Sequence, residues 1–142
     1  AENFQSFLGN ELIPFVEDTY HSRSDRRIVF GHWLCGQFVI FSAQTKPDLF
    51  WGHIASNAAL HRNLSLFKEM RPEPPTVRSH LFIGDASNDT ARFLEPRKEW
   101  IEYWQSQPDL PFRLHVETLE GHDHFSAPPA SYRHGLRWLF SD

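Results

Sequence analysis

At 142 residues, with 40% hydrophobic and 23% charged positions, the chain has the make-up of one globular domain with its own core, which excludes a disordered polymer. A net charge of −4 without any Lys/Arg cluster excludes a surface built to track nucleic-acid phosphates, and no apolar run reaches the ~18 residues of a membrane helix. The single cysteine, Cys35, excludes an intrachain disulfide.

In chain order, Phe4, Phe7, Leu8, Leu12, Phe15 and Val16 recur at helical spacing and predict a helix over about 3–20, mildly interrupted by Pro14. A polar turn at 22–26 leads to a short apolar strand at 27–31. A helix follows over about 35–46, stopped by Pro47. Residues 49–56 read as a second buried strand, 57–66 as loop, and 71–75 as a proline-rich connection. A third strand over 77–83 ends at Gly84. Phe93, Leu94, Trp100, Ile101 and Trp104 pattern a helix over 91–105, with Trp100 and Trp104 four apart on its packing face. Phe112, Leu114 and Val116 alternate with Arg113, His115 and Glu117, which predicts a fourth strand over 112–119. A helix over 131–140 closes the chain. Strands alternating with helices predict an α/β fold, a parallel sheet of about four strands flanked by helices in one domain, 1–142.

Ligands in such sheets bind at the carboxyl ends of the strands. Three segments meet there: Gly31-His32-Trp33-Leu34-Cys35-Gly36, Gly84-Asp85-Ala86-Ser87-Asn88-Asp89, and Gly121-His122-Asp123-His124. Their order, turn then acid then histidine, is the chain order of an α/β-hydrolase triad, whose nucleophile occupies a sharp Gly-x-Ser-x-Gly turn. Here the central residue is Trp33, an indole N–H donor with no nucleophilic lone pair.

Phe30 to Gly36 resembles the FGHSLGG of the esterase family of α/β-hydrolases that includes esterase D and the enterochelin-esterase-like enzymes. Lys46 to Phe50 is similar to its RPDLF, and Pro128 to Phe140 to its PPALYRGLRWLF. The resemblance covers nearly the whole chain, from the helix before the turn to the C-terminus of the family fold, and implies that the N-terminal half of that fold is absent from 1–142. It implies that His124, in a loop similar to GEDHGSVPP, is the triad histidine, with His122 where the family has an acidic residue. It implies Leu34 as the oxyanion amide and places His32 and His122 beside the bound ligand. The family acid falls at Ser87, so Asp85 or Asp89, which flank it, would orient His124. Alternatively, this Asp/Asn/Ser-rich loop is a turn whose side chains satisfy backbone amides.

A serine hydroxyl performs the attack in this family, so Trp33 points to a catalytically silent relative that binds a partner, or a small ester or acyl ligand, through the inherited cleft. The alternative is an active carboxylic-ester hydrolase with an altered turn. Cys35 is a poor substitute nucleophile, because a turn centred on it sets Trp33 and Gln37 where small residues are needed; it reads as a small buried hydrophobe. His122, Asp123 and His124 are too few for a metal site, and no cofactor is expected. His53, His61, His80 and His115 share no spacing and read as structural or exposed. Ala1 falls almost inside a helical pattern, which suggests a trimmed product; the expected location is soluble, with the cytoplasm the first expectation. The strand at 27–30 is apolar on both faces, so its open edge leads one to expect a homodimer, or a second chain completing the sheet, near 27–33 and the first helix.

Overall fold

Short runs with apolar stretches, such as Ile-Val-Phe at 28–30 and Leu-Phe-Ile at 81–83, form the strands, as a sheet with helices on both faces requires. The computed structural model describes residues 1–72 and 79–141. β1 (Ile28–His32), β2 (Gly52–Ser56), β3 (Ser79–Ala86) and β4 (Phe112–Leu119) pair in parallel, in the order β1-β2-β3-β4. Helix α3 (Leu34–Thr45) connects β1 to β2, α4 (Leu64–Glu69) follows β2, α5 (Ala91–Gln105) connects β3 to β4, and α6 (Ala127–Leu139) follows β4. The expected α/β architecture is present.

Alternation along the strands divides the core between the two faces. Ala55, Leu81 and Ile83 join Val39 and Ile40 of α3 and Trp100 and Trp104 of α5 in the larger cluster. Ile54 and Phe82 point the other way, to Leu139 of α6. The two tryptophans are fully buried, and both indole N–H groups donate to the Phe67 carbonyl, at 3.3 and 3.2 Å, which Gln44 Nε2 also reaches at 2.8 Å. That shared acceptor clamps α4 between α3 and α5. On the opposite face, a Cβ on Gly135 would stand 2.8 Å from Ile54 Cγ2, so only glycine lets α6 lie this close to β2.

The first twenty residues form the mildly interrupted helix expected, as α1 (Glu2–Phe7), a π-helical turn (Leu8–Leu12) and α2 (Ile13–Tyr20) in one continuous run. Pro14 brings no N–H and crowds the carbonyl four residues back, and the wider turn relieves that clash. Gln5 donates to Thr45 Oγ1 at 3.0 Å, Glu17 pairs with Arg27, and the Phe4 ring meets Phe38 at 4.9 Å. Phe7, Leu12 and Phe15 nevertheless stay exposed. A cavity of about 1330 Å³ remains between these helices and the β1–α3 unit, lined by Leu8, Val16, Phe30, Cys35 and Phe38 among others.

Several boundaries differ from expectation. β2 starts at Gly52, because the Leu49 amide donates to the Lys46 carbonyl in a turn before it. Within the stretch expected as loop, α4 begins at Leu64, driven by burial of Phe67. Gly84 does not end β3, which pairs on through Ala86 opposite Leu119. α6 begins at Ala127, four residues early, since Pro128 and Pro129 fall in a first turn that needs no N–H donors. The expected start of β3 at Val77 and most of the proline-rich connection lie outside the described residues. No helix among the described residues is long and apolar enough to cross a membrane.

Candidate functional site

The strand-to-helix turn between β1 and α3 is built around Trp33. Its backbone sits at φ 56° and ψ −114°, a region a bulky residue enters at a cost of about 1–3 kcal/mol and keeps only when its surroundings hold it. They do so through three bonds. The Trp33 amide donates to the Ser56 carbonyl at 3.0 Å, and its own carbonyl accepts from Gln37 and Ala59 at 2.9 and 3.1 Å. A Cβ on Gly31 would collide with the Cys35 carbonyl, which fixes glycine at the entry to the turn. Leu34 is the first residue of α3, where position alone leaves an amide without an intrahelical acceptor. Cys35 is exposed, not buried as expected, because the first turn of α3 faces away from the sheet there.

Two loops from β3 and β4 close on this turn and are stitched to each other. Ser87 Oγ accepts from the Gly121 amide at 2.9 Å, and the Asn88 amide donates to the His122 carbonyl at 3.0 Å. The stitching brings His124 to Trp33, with ring centroids 4.7 Å apart, and to His32, at 4.6 Å. His124 Nδ1 donates to Asp89 Oδ2 at 3.3 Å, while Asp85 instead receives Arg97 Nε. His122 faces elsewhere, donating from Nδ1 to the Ser126 carbonyl at 3.0 Å. Asp123 closes the turn that leads into α6 by accepting from the Phe125 and Ser126 amides at 3.0 and 2.8 Å. No three His, Cys, Asp or Glu side chains converge as metal ligands among the described residues.

Arg97, which sequence reasoning missed, organises the acids. Only 1% exposed, it reaches Asp85 through Nε and Asp89 through Nη2 at 2.9 Å. Its position three and seven residues before Trp100 and Trp104, on the buried face of α5, was the available signal. Burial alone would raise the Asp89 carboxyl, but the Thr90 amide, His124 and Arg97 outweigh it and hold the group below its ordinary range. Asp85 goes the other way: burial raises it, with Arg97 opposing. Burial, then the nearby His124, lowers His32, so that ring is neutral around pH 7. His32 Nδ1 lies 3.3 Å from Ser56 Oγ, which accepts from Ser131 Oγ at 2.9 Å. A histidine held by an ionised carboxylate is thus aimed at a turn whose central side chain is an indole.

The parallel sheet with helices on both faces and loops converging at its carboxyl ends is the α/β-hydrolase type of arrangement. The BES protein of Bacillus cereus is similar over 100% of this chain and 55% of its own, with a TM-score of 0.84 at 21% identity. The siderophore hydrolase EstA of Aspergillus nidulans is similar over 98% and 56%, with a TM-score of 0.76 at 20% identity. The sequence matches the family described as "Putative esterase" over residues 1–137, and the chain belongs to that esterase family. Ferri-bacillibactin esterase BesA of Bacillus subtilis (strain 168) is 40% identical over 63 residues, 44% of this chain and 22% of that protein. The chain therefore spans about half the length of these solved relatives, and less of the curated one.

Proposed function

We propose that this member of the esterase family is catalytically silent and uses the cleft at the carboxyl ends of its strands to bind a small ester or acyl ligand or a partner. The observation that carries this is the side chain at the strained turn. In an ester hydrolase of this class the residue at position 33 supplies an oxygen that attacks the carbonyl while the histidine accepts its proton, and the following amide stabilises the oxyanion. Trp33 has no atom for the first step. Its ring also occupies the space beside His124, packed edge-on against His124 and Phe93 at 4.7 and 4.5 Å. The retained Asp89–His124 pair supports descent from a catalytic site, with Trp33, Leu34, His124 and Asp89 as its former machinery; Asp85 supports Arg97, and His32 flanks the ligand. His122, half-buried and bonded to the Ser126 carbonyl just before α6, is a rim residue.

The test is hydrolysis of p-nitrophenyl acetate by the purified protein and by Trp33→Ser. The parent is expected to match the buffer blank, and the serine variant to exceed it. One observation favours a second reading, an active hydrolase with an altered turn: the Cys35 thiol is exposed two residues beyond Trp33. Parental turnover that disappears in Cys35→Ala would establish that reading in place of the first.

A further inference from the structure

Beside Trp33 opens a second cavity, of about 440 Å³, lined by Leu34, His61, Arg62, Arg92 and Phe93 as well as Trp33 itself. That volume falls in the range of small-molecule sites and is too large for a bare ion. Its wall is aromatic. The His61 ring stacks on Trp33 at 5.5 Å, and Phe93 meets His61 at 5.0 Å. Its rim is cationic. Arg62, in the turn before α4, and Arg92, in the first turn of α5, are exposed and have no carboxylate partner among the described residues, although the chain as a whole is acidic. Burial first, and then the Arg92 and Arg62 charges, hold His61 below its ordinary value, so the positive field reaches the wall. The buried Nδ1 of His61 has no hydrogen-bond partner among the described residues. A buried polar atom without a partner is uncommon, and here packing against Trp33 and Phe93 holds the ring instead.

We infer that this pocket is a binding site for an aromatic carboxylate, its ring against Trp33 and Phe93 and its carboxylate between Arg62 and Arg92. Guanidinium groups suit a carboxylate because their forked donors match its two oxygens, and a flat ring matches the edges and faces of the wall. Trp33 thereby has a positive role as part of the pocket wall. The inference deepens the ligand-binding reading above and rests on it.

Isothermal titration with benzoate, with benzamide as the neutral analogue of the same shape, tests it. Benzoate should bind about tenfold or more tightly than benzamide, and weaken with added salt as a charge-assisted contact does. The double variant Arg62→Gln/Arg92→Gln should lose about tenfold in benzoate affinity at an unchanged melting temperature. Absence of benzoate binding, equal binding of benzamide, or full affinity in the double variant would overturn the site. Turnover of p-nitrophenyl acetate in the same preparation would sink the silent reading while leaving a benzoate result standing, so the two failures are separable.

Discussion

His53 is fully buried on β2, where its ring edge meets Phe50 at 5.7 Å and neither ring nitrogen makes a well-formed hydrogen bond. Burial drives the imidazole down to about 3, against a weak pull from the His80 backbone. The folded value lies below the unfolded one, near 6.5, so the unfolded chain takes up the proton first. This contribution is therefore intact above about pH 6.5 and declines as pH falls toward 3. At the limiting slope of ~1.4 kcal/mol per pH unit, the fold should lose about 2 kcal/mol between pH 7 and 5 from this residue alone. His53→Leu keeps the volume and removes the proton acceptor, so urea unfolding at the two pH values should show that loss much reduced. An unchanged difference would place the acid sensitivity elsewhere. None of this was legible in the sequence, where His53 is one of nine histidines. The His124 placement beside Trp33 was legible because it rode on a loop pattern, whereas the partner acid was not. Asp85 and Asp89 are equivalent in sequence, and it is the buried Arg97 that engages the first and leaves the second to share with His124.

Among elements, the strands and the longest helices follow from patterns that bury one face or two, and α5 and β4 have the bounds their periodicity predicts. The misread elements are those decided by long-range packing. α4 exists because Phe67 fills a gap between helices distant in sequence, and the early start of α6 depends on prolines that forbid helix everywhere except in a first turn. The seat of α6 on β2 gives a direct prediction. Gly135→Val would push a branched side chain into Ile54, a fully buried and χ1-stiff neighbour, and the ~0.3 kcal/mol of helix propensity gained over glycine does not offset the overpacking. The expected loss is about 2–3 kcal/mol, read as a lower urea midpoint at unchanged slope. A midpoint equal to the parent's would mean that α6 can slide away from the sheet without penalty.

For the whole molecule, the open question of assembly turns on β1. Its one neighbour among the described residues is β2, and Phe30 on it is 37% exposed, with the exposed Tyr132 ring 5.3 Å away. Unpaired strand amides flanked by apolar side chains invite another strand. A second copy, or another polypeptide, seated at β1 and the first helices is accordingly proposed to complete the sheet. Sedimentation equilibrium at micromolar concentration should return a mass above the monomer's, and Phe30→Lys should reduce it toward the monomer. A parent that sediments as a monomer at every concentration would defeat this. The clamp at the Phe67 carbonyl, finally, bears on the order of assembly. A helix of six residues cannot sustain itself in water, and this one is held by donors 23, 33 and 37 positions away in the chain. Its turns close only after α3 and α5 have docked on the sheet, so α4 is the last helix of that face to set and the first to loosen.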